Sequence, residues 1–291
     1  MKINDRKFAM KLRLAATGLI MAGAATLASA NPATTDEGPA LLALGDSISF
    51  GFIAQAGFEY VNPDNFISYP AYVAAELHLK AVNASCPGET TGSFISGTLP
   101  DNGCRSFLQA GFPLHVAYAG SQLAYATAFL KTHPQTRVVT IGLGANDLRL
   151  LQAACSNAPT CIQAGLSAVL AAVSSNMDTI LRSVRATGFS GRLIVVNVYS
   201  PDYTDALDTE AIGALGQVLS AVAGAHGAVV ADAFTAFQKA ASTSFAGGKT
   251  CMAGLLNASP QNQYLCDIHP TQSGQQLLAD VVEDVAGLQG H

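Results

Sequence analysis

The chain has 291 residues, of which 15 are basic, 20 are acidic and 49% are hydrophobic. An acidic chain without a basic stripe repels phosphate backbones, so this composition excludes nucleic acid as a partner. The length suits one large α/β domain with a full hydrophobic core behind a short N-terminal segment.

Residues 1–30 have the pattern of a secretory signal peptide. A basic segment at residues 2–13 precedes an apolar run at residues 14–27, and residues 28–30 form an A-x-A cleavage site. The alternative is an uncleaved membrane anchor, which the shortness of the Ala- and Gly-rich run disfavours. Cleavage near Ala30 leaves 10 basic and 19 acidic residues, a net charge of −9. We therefore expect a secreted protein, extracellular or periplasmic.

Residues 31–39 are polar and are predicted to form a disordered mature N-terminus, so that the domain covers residues 40–291. Within it, apolar strand-like runs alternate with helical patterns. The predicted strands cover residues 40–45, 80–84, 137–143, 192–198 and 228–232, and the predicted helices cover residues 69–79, 118–131, 161–187, 205–225 and 272–286. Strands that alternate with helices become parallel, so we predict a three-layer α/β/α fold around a five-stranded parallel sheet.

In an open parallel sheet, ligands bind beyond the carboxyl ends of the strands. The first strand ends in Gly45-Asp46-Ser47, which is either a turn or a placement for a nucleophilic serine. Acyl transfer also needs donors for the oxyanion. Gly88 follows the second strand and offers a backbone N–H, and Asn146 follows the third and offers an amide. Alternatively, Gly88 is an ordinary turn glycine and Asn146 is the N-cap of a helix.

The base that accompanies a nucleophilic serine is expected to be a histidine. Among the six histidines, His269 stands out because Asp267 lies two residues before it and Pro270 fixes the backbone after it. It also lies just before the last predicted helix. His115 is the second candidate for the base.

Four segments together resemble the conserved blocks of the GDSL, or SGNH, hydrolases. They are Gly45-Asp46-Ser47-Ile48, Asn83 with Gly88-Glu89-Thr90-Thr91, Gly144-Ala145-Asn146-Asp147, and Asp267 with His269-Pro270. Each segment alone is a weak signal, but all four occur in the order of the family. The resemblance covers residues 41 to about 280, nearly the whole mature chain.

This resemblance implies a flavodoxin-like sheet and a catalytic site. Ser47 would be the nucleophile and His269 the base, and the oxyanion hole would consist of the Ser47 N–H, the Gly88 N–H and the Asn146 side chain. The implied reaction is hydrolysis of carboxylic esters without a metal or another cofactor. The exported form resembles the secreted lipases and esterases of the family.

The sequence departs from the family pattern at the third member of the triad. The family's last block usually has the acid three residues before the histidine, where this chain has Cys266. We predict that Asp267 orients His269, since side chains at i and i+2 of an extended segment face the same way. The rival is a backbone carbonyl of the same segment, which would make a Ser–His dyad.

All six cysteines follow the signal peptide, and an even number in an exported chain predicts three disulfides. Six cysteines allow 15 pairings, and close spacing favours Cys86–Cys104, Cys155–Cys161 and Cys251–Cys266. No C-x-x-C pair is present, and nothing resembles a zinc ligand set. We therefore predict no metal site.

Aromatic residues are frequent near Ser47, which favours an apolar pocket for acyl esters. They are Phe50, Phe52, Phe58, Tyr60, Phe66 and Tyr69. We predict that the substrate is a small-molecule or lipid ester. We also predict that the protein is a monomer and makes transient contact with lipid surfaces. The open alternatives are a carbohydrate O-acetylesterase, an acyltransferase and an inactive secreted binding protein.

Overall fold

A computed structural model of the protein describes residues 38–262 and 265–287. The predicted signal peptide and most of the polar segment after it lie outside the described residues. The first described residues already contribute to the sheet, because the Pro39 carbonyl accepts a hydrogen bond from the Lys80 N–H.

A five-stranded parallel sheet forms the centre of the fold, in the order β2-β1-β3-β4-β5. Its strands are β1 (Ala40–Gly45), β2 (Lys80–Asn83), β3 (Thr136–Gly142), β4 (Arg192–Val196) and β5 (Val229–Ala231). All four pairings are parallel. All five strands were predicted to within two residues at each end, and this strand order is the flavodoxin-like one.

Ten α-helices and two short 3₁₀ helices are present in the described part of the chain. The α-helices are α1 (Ser47–Phe50), α2 (Tyr69–Glu76), α3 (Thr91–Ile95), α4 (Cys104–Gln109), α5 (Gln122–Thr132), α6 (Ala145–Ala154), α7 (Pro159–Ala186), α8 (Ala206–Ala225), α9 (Ala233–Ala241) and α10 (Gln272–Ala286). The 3₁₀ helices are Gly57–Val61 and Pro63–Asn65. The five predicted helices correspond to α2, α5, α7, α8 and α10. The other five have ten residues or fewer, too few for a clear periodicity.

Side chains of β1 alternate between two hydrophobic cores. Leu42 and Leu44 pack on one side of the sheet with α5, α7 and α8. Leu41 and Ala43 pack on the other side with α2, α9 and α10. Successive side chains of a strand point to opposite faces, so a continuous apolar strand requires helices on both faces. The predicted three-layer α/β/α architecture is confirmed.

A small antiparallel pair, β6 (Leu256–Ala258) with β7 (Cys266–Pro270), precedes α10. The sequence analysis found no strand in this region. Strand β7 carries both Asp267 and His269, so the segment before the last helix is extended.

Among the described helices, α7 alone has the length and the apolar composition of a membrane span. Its apolar side is occupied within the domain, because Val173, Met177, Ile180 and Leu181 are buried in the core. The core helix of a soluble domain has the same composition, so this feature is weak evidence for a membrane.

Candidate active site

Ser47 is the first residue of α1, directly after the carboxyl end of β1. The Asp46 side chain caps this helix by accepting a hydrogen bond from the Ile48 N–H at 3.0 Å. Gly45 has a φ of +139°, and a Cβ there would lie 2.3 Å from the Gly142 carbonyl oxygen on the neighbouring strand. Glycine is therefore required where the chain turns from β1 toward Ser47.

The Gln122 side chain holds the same turn from helix α5. Its Oε1 accepts from the Gly45 N–H at 2.6 Å, and its Nε2 donates to the Gly45 carbonyl at 3.0 Å. The Nε2 also lies 3.1 Å from Glu89 Oε2. Gln122 thus connects the nucleophile turn to the segment after β2. The sequence analysis did not identify it, because a contact across 77 residues leaves no local pattern.

The structure brings Ser47, His269 and Asp267 together. His269 Nε2 lies 3.1 Å from Ser47 Oγ, and His269 Nδ1 lies 2.5 Å from Asp267 Oδ2. A carboxylate can only accept, so Nδ1 carries the proton and Nε2 is free to accept from the serine hydroxyl. The second histidine candidate, His115, binds the Phe50 carbonyl instead.

The state of Asp267 suits this arrangement. Burial raises the pKa of its carboxyl. The hydrogen bond from His269 and the charge of His269 lower this pKa by more than burial raises it, so the pKa lies below its usual value. The carboxylate is therefore ionised at neutral pH. Two further contacts fix the strand: Cys251–Cys266 immediately before Asp267, and the Tyr199 hydroxyl, which donates to the Ile268 carbonyl at 2.6 Å.

Two backbone N–H groups near Ser47 have no acceptor among the described residues, those of Ser47 and Gly88. Gly88 has a φ of +84°, and a Cβ there would lie 2.5 Å from the Asn102 carbonyl oxygen. Only glycine fits this close approach of two backbones. Both N–H groups are thus available to an oxygen atom next to Ser47.

Asn146 lies in the first turn of α6 and lines the same cavity as Ser47. Its Nδ2 lies 3.0 Å from the Glu89 carbonyl oxygen and 3.3 Å from Asp46 Oδ2, and its Oδ1 accepts from Asn102 Nδ2 at 2.8 Å. The alternative that Asn146 caps its helix is wrong. Gly144 is the N-cap residue, and no side chain forms a cap hydrogen bond there.

Three carboxyl groups lie behind these donors. Burial, partly offset by the Ile48 N–H, raises the pKa of Asp46 to about 7. Burial likewise raises the pKa of Glu89 to about 7, against hydrogen bonds from Ser93 and Gln122. The pKa of Asp147 is raised by burial too. Near neutral pH the rear of the site therefore carries less negative charge than its composition suggests.

A cavity of about 370 Å³ opens beside Ser47 and His269. Gly88, Asn102 and Asn146 line one part of it. Four aromatic side chains also line it and form the aromatic wall, namely Phe52, Tyr60, Phe107 and Phe112. These rings contact one another, with centroid distances from 5.1 to 6.3 Å. The wall makes the cavity suitable for an apolar group attached to a polar, reactive one.

A second, smaller cavity of about 70 Å³ also reaches Ser47, near the ends of β3 and β4. Tyr69, Tyr199, Ile212 and Arg149 contribute to its lining. It is more enclosed than the first cavity. Both cavities reach Ser47 and Asn146.

The three disulfides join the cysteines that the sequence analysis paired: Cys86–Cys104, Cys155–Cys161 and Cys251–Cys266. Among the described residues, Cys86, Glu89 and Cys104 are the only group with metal-ligand spacing, and both of its sulfur atoms are in a disulfide. Two of the three disulfides flank site segments, those that carry Gly88 and Asp267.

Comparisons with known proteins identify the family of the chain. The GDSL-like Lipase/Acylhydrolase family matches residues 43–277, most of the chain. No curated protein sequence matches the chain.

Solved structures share the fold at low sequence identity. Phospholipase A1 from Streptomyces albidoflavus NA297 is 19% identical with a TM-score of 0.54, over 85% of this chain and 99% of that one. The extracellular lipase of Streptomyces rimosus is 19% identical with a TM-score of 0.55, over 84% and 99%. Axe2, an acetylxylan esterase from Geobacillus stearothermophilus, is 16% identical with a TM-score of 0.53, over 86% and 96%. At these identities the similarity is one of fold.

The family match and the fold lead to one assignment. The matched range contains Ser47, Gly88, Asn146 and His269, which the structure brings to one edge of the parallel sheet. The chain belongs to the GDSL-like lipase/acylhydrolase family and is a carboxylic ester hydrolase.

Proposed function

We propose that the protein is a secreted lipase or esterase that cleaves acyl esters through an acyl-enzyme on Ser47. The observation that carries the proposal is the continuous hydrogen-bonded series from Ser47 Oγ through His269 to Asp267 at the mouth of an aromatic cavity. A nucleophile, a base within hydrogen-bond reach and a third group that orients the base are the signature of covalent acyl transfer.

In the first step, the Ser47 hydroxyl attacks the ester carbonyl while His269 Nε2 takes its proton. The negative charge that develops on the carbonyl oxygen is stabilised by the N–H groups of Ser47 and Gly88 and by the Asn146 amide. Asp267 holds the Nδ1 proton and stabilises the imidazolium. His269 then protonates the departing alcohol, which leaves the acyl group on Ser47.

In the second step, His269 takes a proton from a water molecule that attacks the acyl-enzyme. The same three donors stabilise the second oxyanion, and the Ser47 oxygen leaves with the proton that His269 returns. No metal or cofactor takes part in either step. Each group required therefore comes from the chain itself.

The aromatic wall supports an acyl ester as the substrate. A cavity of about 370 Å³ lined by four rings favours an alkyl chain over a polar sugar. The test is a nitrophenyl-ester series from acetate to palmitate with the wild type and Ser47→Ala. We expect an optimum at medium or long chains, and a loss in kcat on the order of 10⁶ for Ser47→Ala.

The alternatives give different results in the same series. Activity confined to acetate would indicate a carbohydrate O-acetylesterase, the activity named for Axe2. Transfer to added alcohol that outpaces hydrolysis would indicate an acyltransferase. No hydrolysis of any ester by a folded wild type would indicate a binding protein. A folded Ser47→Ala variant that keeps more than a few per cent of the activity would refute Ser47 as the nucleophile.

An apolar rim beside the cavity supports contact with lipid surfaces. Phe58 is 94% exposed and Val61 is 69% exposed. Both lie in the 3₁₀ helix Gly57–Val61, where residues three apart lie on the same side. Tyr60 from the same helix belongs to the aromatic wall, so a lipid surface on this rim would meet the cavity.

The double variant Phe58→Ser/Val61→Ser tests this contact. We expect it to lose hydrolysis of an emulsified ester and to keep hydrolysis of a soluble short-chain ester. Phe245→Ser is the matched control, because Phe245 is exposed but does not line the cavity. Equal rates of the double variant and the wild type on the emulsion would exclude the contact.

Two observations support export. Residues 1–30 have the signal-peptide pattern. Three disulfides are typical of an oxidising compartment. N-terminal sequencing of the protein recovered from the periplasm or the medium should begin near residue 31, whereas an intact N-terminus on a membrane-bound protein would contradict cleavage.

A further inference from the structure

Asn102 lies outside all four family segments, in the connection between α3 and α4. Its side chain nevertheless lines the cavity that holds Ser47 and His269. The residue contacts both Gly88 and Asn146, the two oxyanion donors that come from outside the nucleophile turn. These contacts use different parts of Asn102, its backbone and its side chain.

The backbone of Asn102 holds Gly88. Its N–H donates to the Gly88 carbonyl at 2.8 Å, and its own carbonyl oxygen occupies the space that a side chain at Gly88 would need. The Cys86–Cys104 disulfide ties the two segments together two residues away on each side. The Gly88 peptide is therefore held through its carbonyl oxygen, while its N–H has no acceptor among the described residues.

The side chain of Asn102 holds Asn146. Its Nδ2 donates to Asn146 Oδ1 at 2.8 Å, while the Asn146 Nδ2 faces the Glu89 carbonyl at 3.0 Å. A primary amide can turn by half a rotation, which exchanges its oxygen and its NH₂ group. Here that rotation would place oxygen against the Glu89 carbonyl and NH₂ against the NH₂ of Asn102. Both ends of the amide therefore select the same orientation.

We propose that Asn102 is a positioning residue that fixes the orientation of the Asn146 amide and the place of the Gly88 N–H in the oxyanion hole. The inference rests on the proposed function, because it assigns Asn102 a role in that same site. Among the described residues, the hydrogen bonds of Asn102 go to Gly88 and Asn146, not to Ser47 or His269. Its effect reaches the transition state through Asn146 and Gly88, so it should change kcat more than KM.

Asn102→Asp and Asn102→Ala separate positioning from packing. The aspartate has nearly the same shape but accepts where asparagine donates, so it favours the turned amide of Asn146. The alanine removes the side-chain bond and keeps the backbone bond to Gly88. We expect kcat to fall by about tenfold for the alanine and further for the aspartate, with KM within about twofold. Gln163→Ala, at an exposed amide side chain of α7, is the control.

A double-mutant cycle with Asn146→Ala shows whether Asn102 acts through Asn146. In the Asn146→Ala background, Asn102→Ala should lower kcat by less than about twofold, because the amide that it positions is gone. An equal loss in both backgrounds would overturn the inference, as would a loss for alanine as large as that for aspartate. Each kcat is calculated from the concentration of active sites, which is titrated with a phosphonate ester. The melting temperature of each variant is recorded to check that it is folded.

The design separates this inference from the proposed function. If Asn146→Ala lowers kcat and Asn102→Asp does not, the oxyanion hole stands and the role of Asn102 is wrong. If Asn146→Ala leaves kcat unchanged, the proposed role of Asn146 itself fails. Should Asn102→Ala unfold, Asn102→Ser retains a hydroxyl donor and is measured in the same cycle, with the same result expected to a smaller degree.

Discussion

Replacement of Glu89 by glutamine should stabilise the protein at alkaline pH. Glu89 is buried, and its carboxyl contacts the Ser93 hydroxyl and Gln122 Nε2. Burial raises its pKa to about 7, so folding above this pH confines an ionised carboxylate in the interior. Glutamine has the same shape, can accept from Gln122 and donate to Ser93, and cannot ionise.

The size of the effect follows from the pKa of Glu89 in the two states. The carboxyl has a pKa of about 7 in the folded protein and an ordinary value of 4.5. One pKa unit corresponds to about 1.4 kcal/mol, so ionisation should cost the wild type about 3 kcal/mol of stability above pH 8. The sign follows from a raised pKa: this contribution to stability is complete below pH 4.5, is lost between pH 4.5 and about 7, where only the unfolded state is ionised, and stays lost above pH 7.

The assay is denaturant unfolding of the wild type and Glu89→Gln from pH 4.5 to 8.5. We expect similar free energies of unfolding at pH 4.5 and an advantage of about 3 kcal/mol for the variant at pH 8.5, or roughly 5–10 °C in melting temperature. Glu210→Gln, at an exposed glutamate of α8, is the control. A difference that does not change with pH, or a variant less stable than the wild type at pH 8.5, would refute this reasoning.

Three further predictions concern the site. Asn146→Ala should lower kcat by roughly 10²–10³ with little change in KM, whereas a raised KM at constant kcat would mark Asn146 as a binding residue. Asp267→Ala should lower kcat on a soluble ester by about 10³ or more at an unchanged melting temperature, and a loss under about tenfold would favour a Ser–His dyad. Removal of Cys251–Cys266 by double substitution to serine should cost about 2–4 kcal/mol and reduce activity, because it anchors the strand of His269; unchanged kinetics would separate it from the site.

The local signals in the sequence were sufficient for the sheet and for the long helices. Apolar strands flanked by turn residues, and helices of several turns such as α7 and α8, have patterns that a window of the sequence contains. The short helices lack such a hydrophobic pattern. Helix α4, for example, has six residues, and its N-cap Gly103 forms no side-chain cap. Its first residue, Cys104, is joined by a disulfide to Cys86, in the segment after β2.

The residues of the candidate site also fall into those that local sequence patterns predict and those that they do not. Ser47, Gly88, Asn146 and His269 lie in recognisable segments, so the sequence predicts them and the structure brings them together. Gln122 and Asn102 have no such segment, since their role depends on pairing with distant backbone and side-chain groups. A signal did exist for Asn102. The predicted disulfide Cys86–Cys104 places residues 101–103 beside Gly88.

The aromatic wall belongs to a hydrophobic cluster that is distinct from the two cores flanking the sheet. The rings of this cluster come mainly from residues 52–66 and 107–112, and neither segment contains a β-strand. On the proposed function, exchange of these rings would alter acyl-chain preference with little effect on the folding of the sheet. The same separation should let this region open on its own, so its amide protons should exchange with solvent faster than those of β1. Equal protection of both regions would mean that the cavity and the sheet open as one cooperative unit.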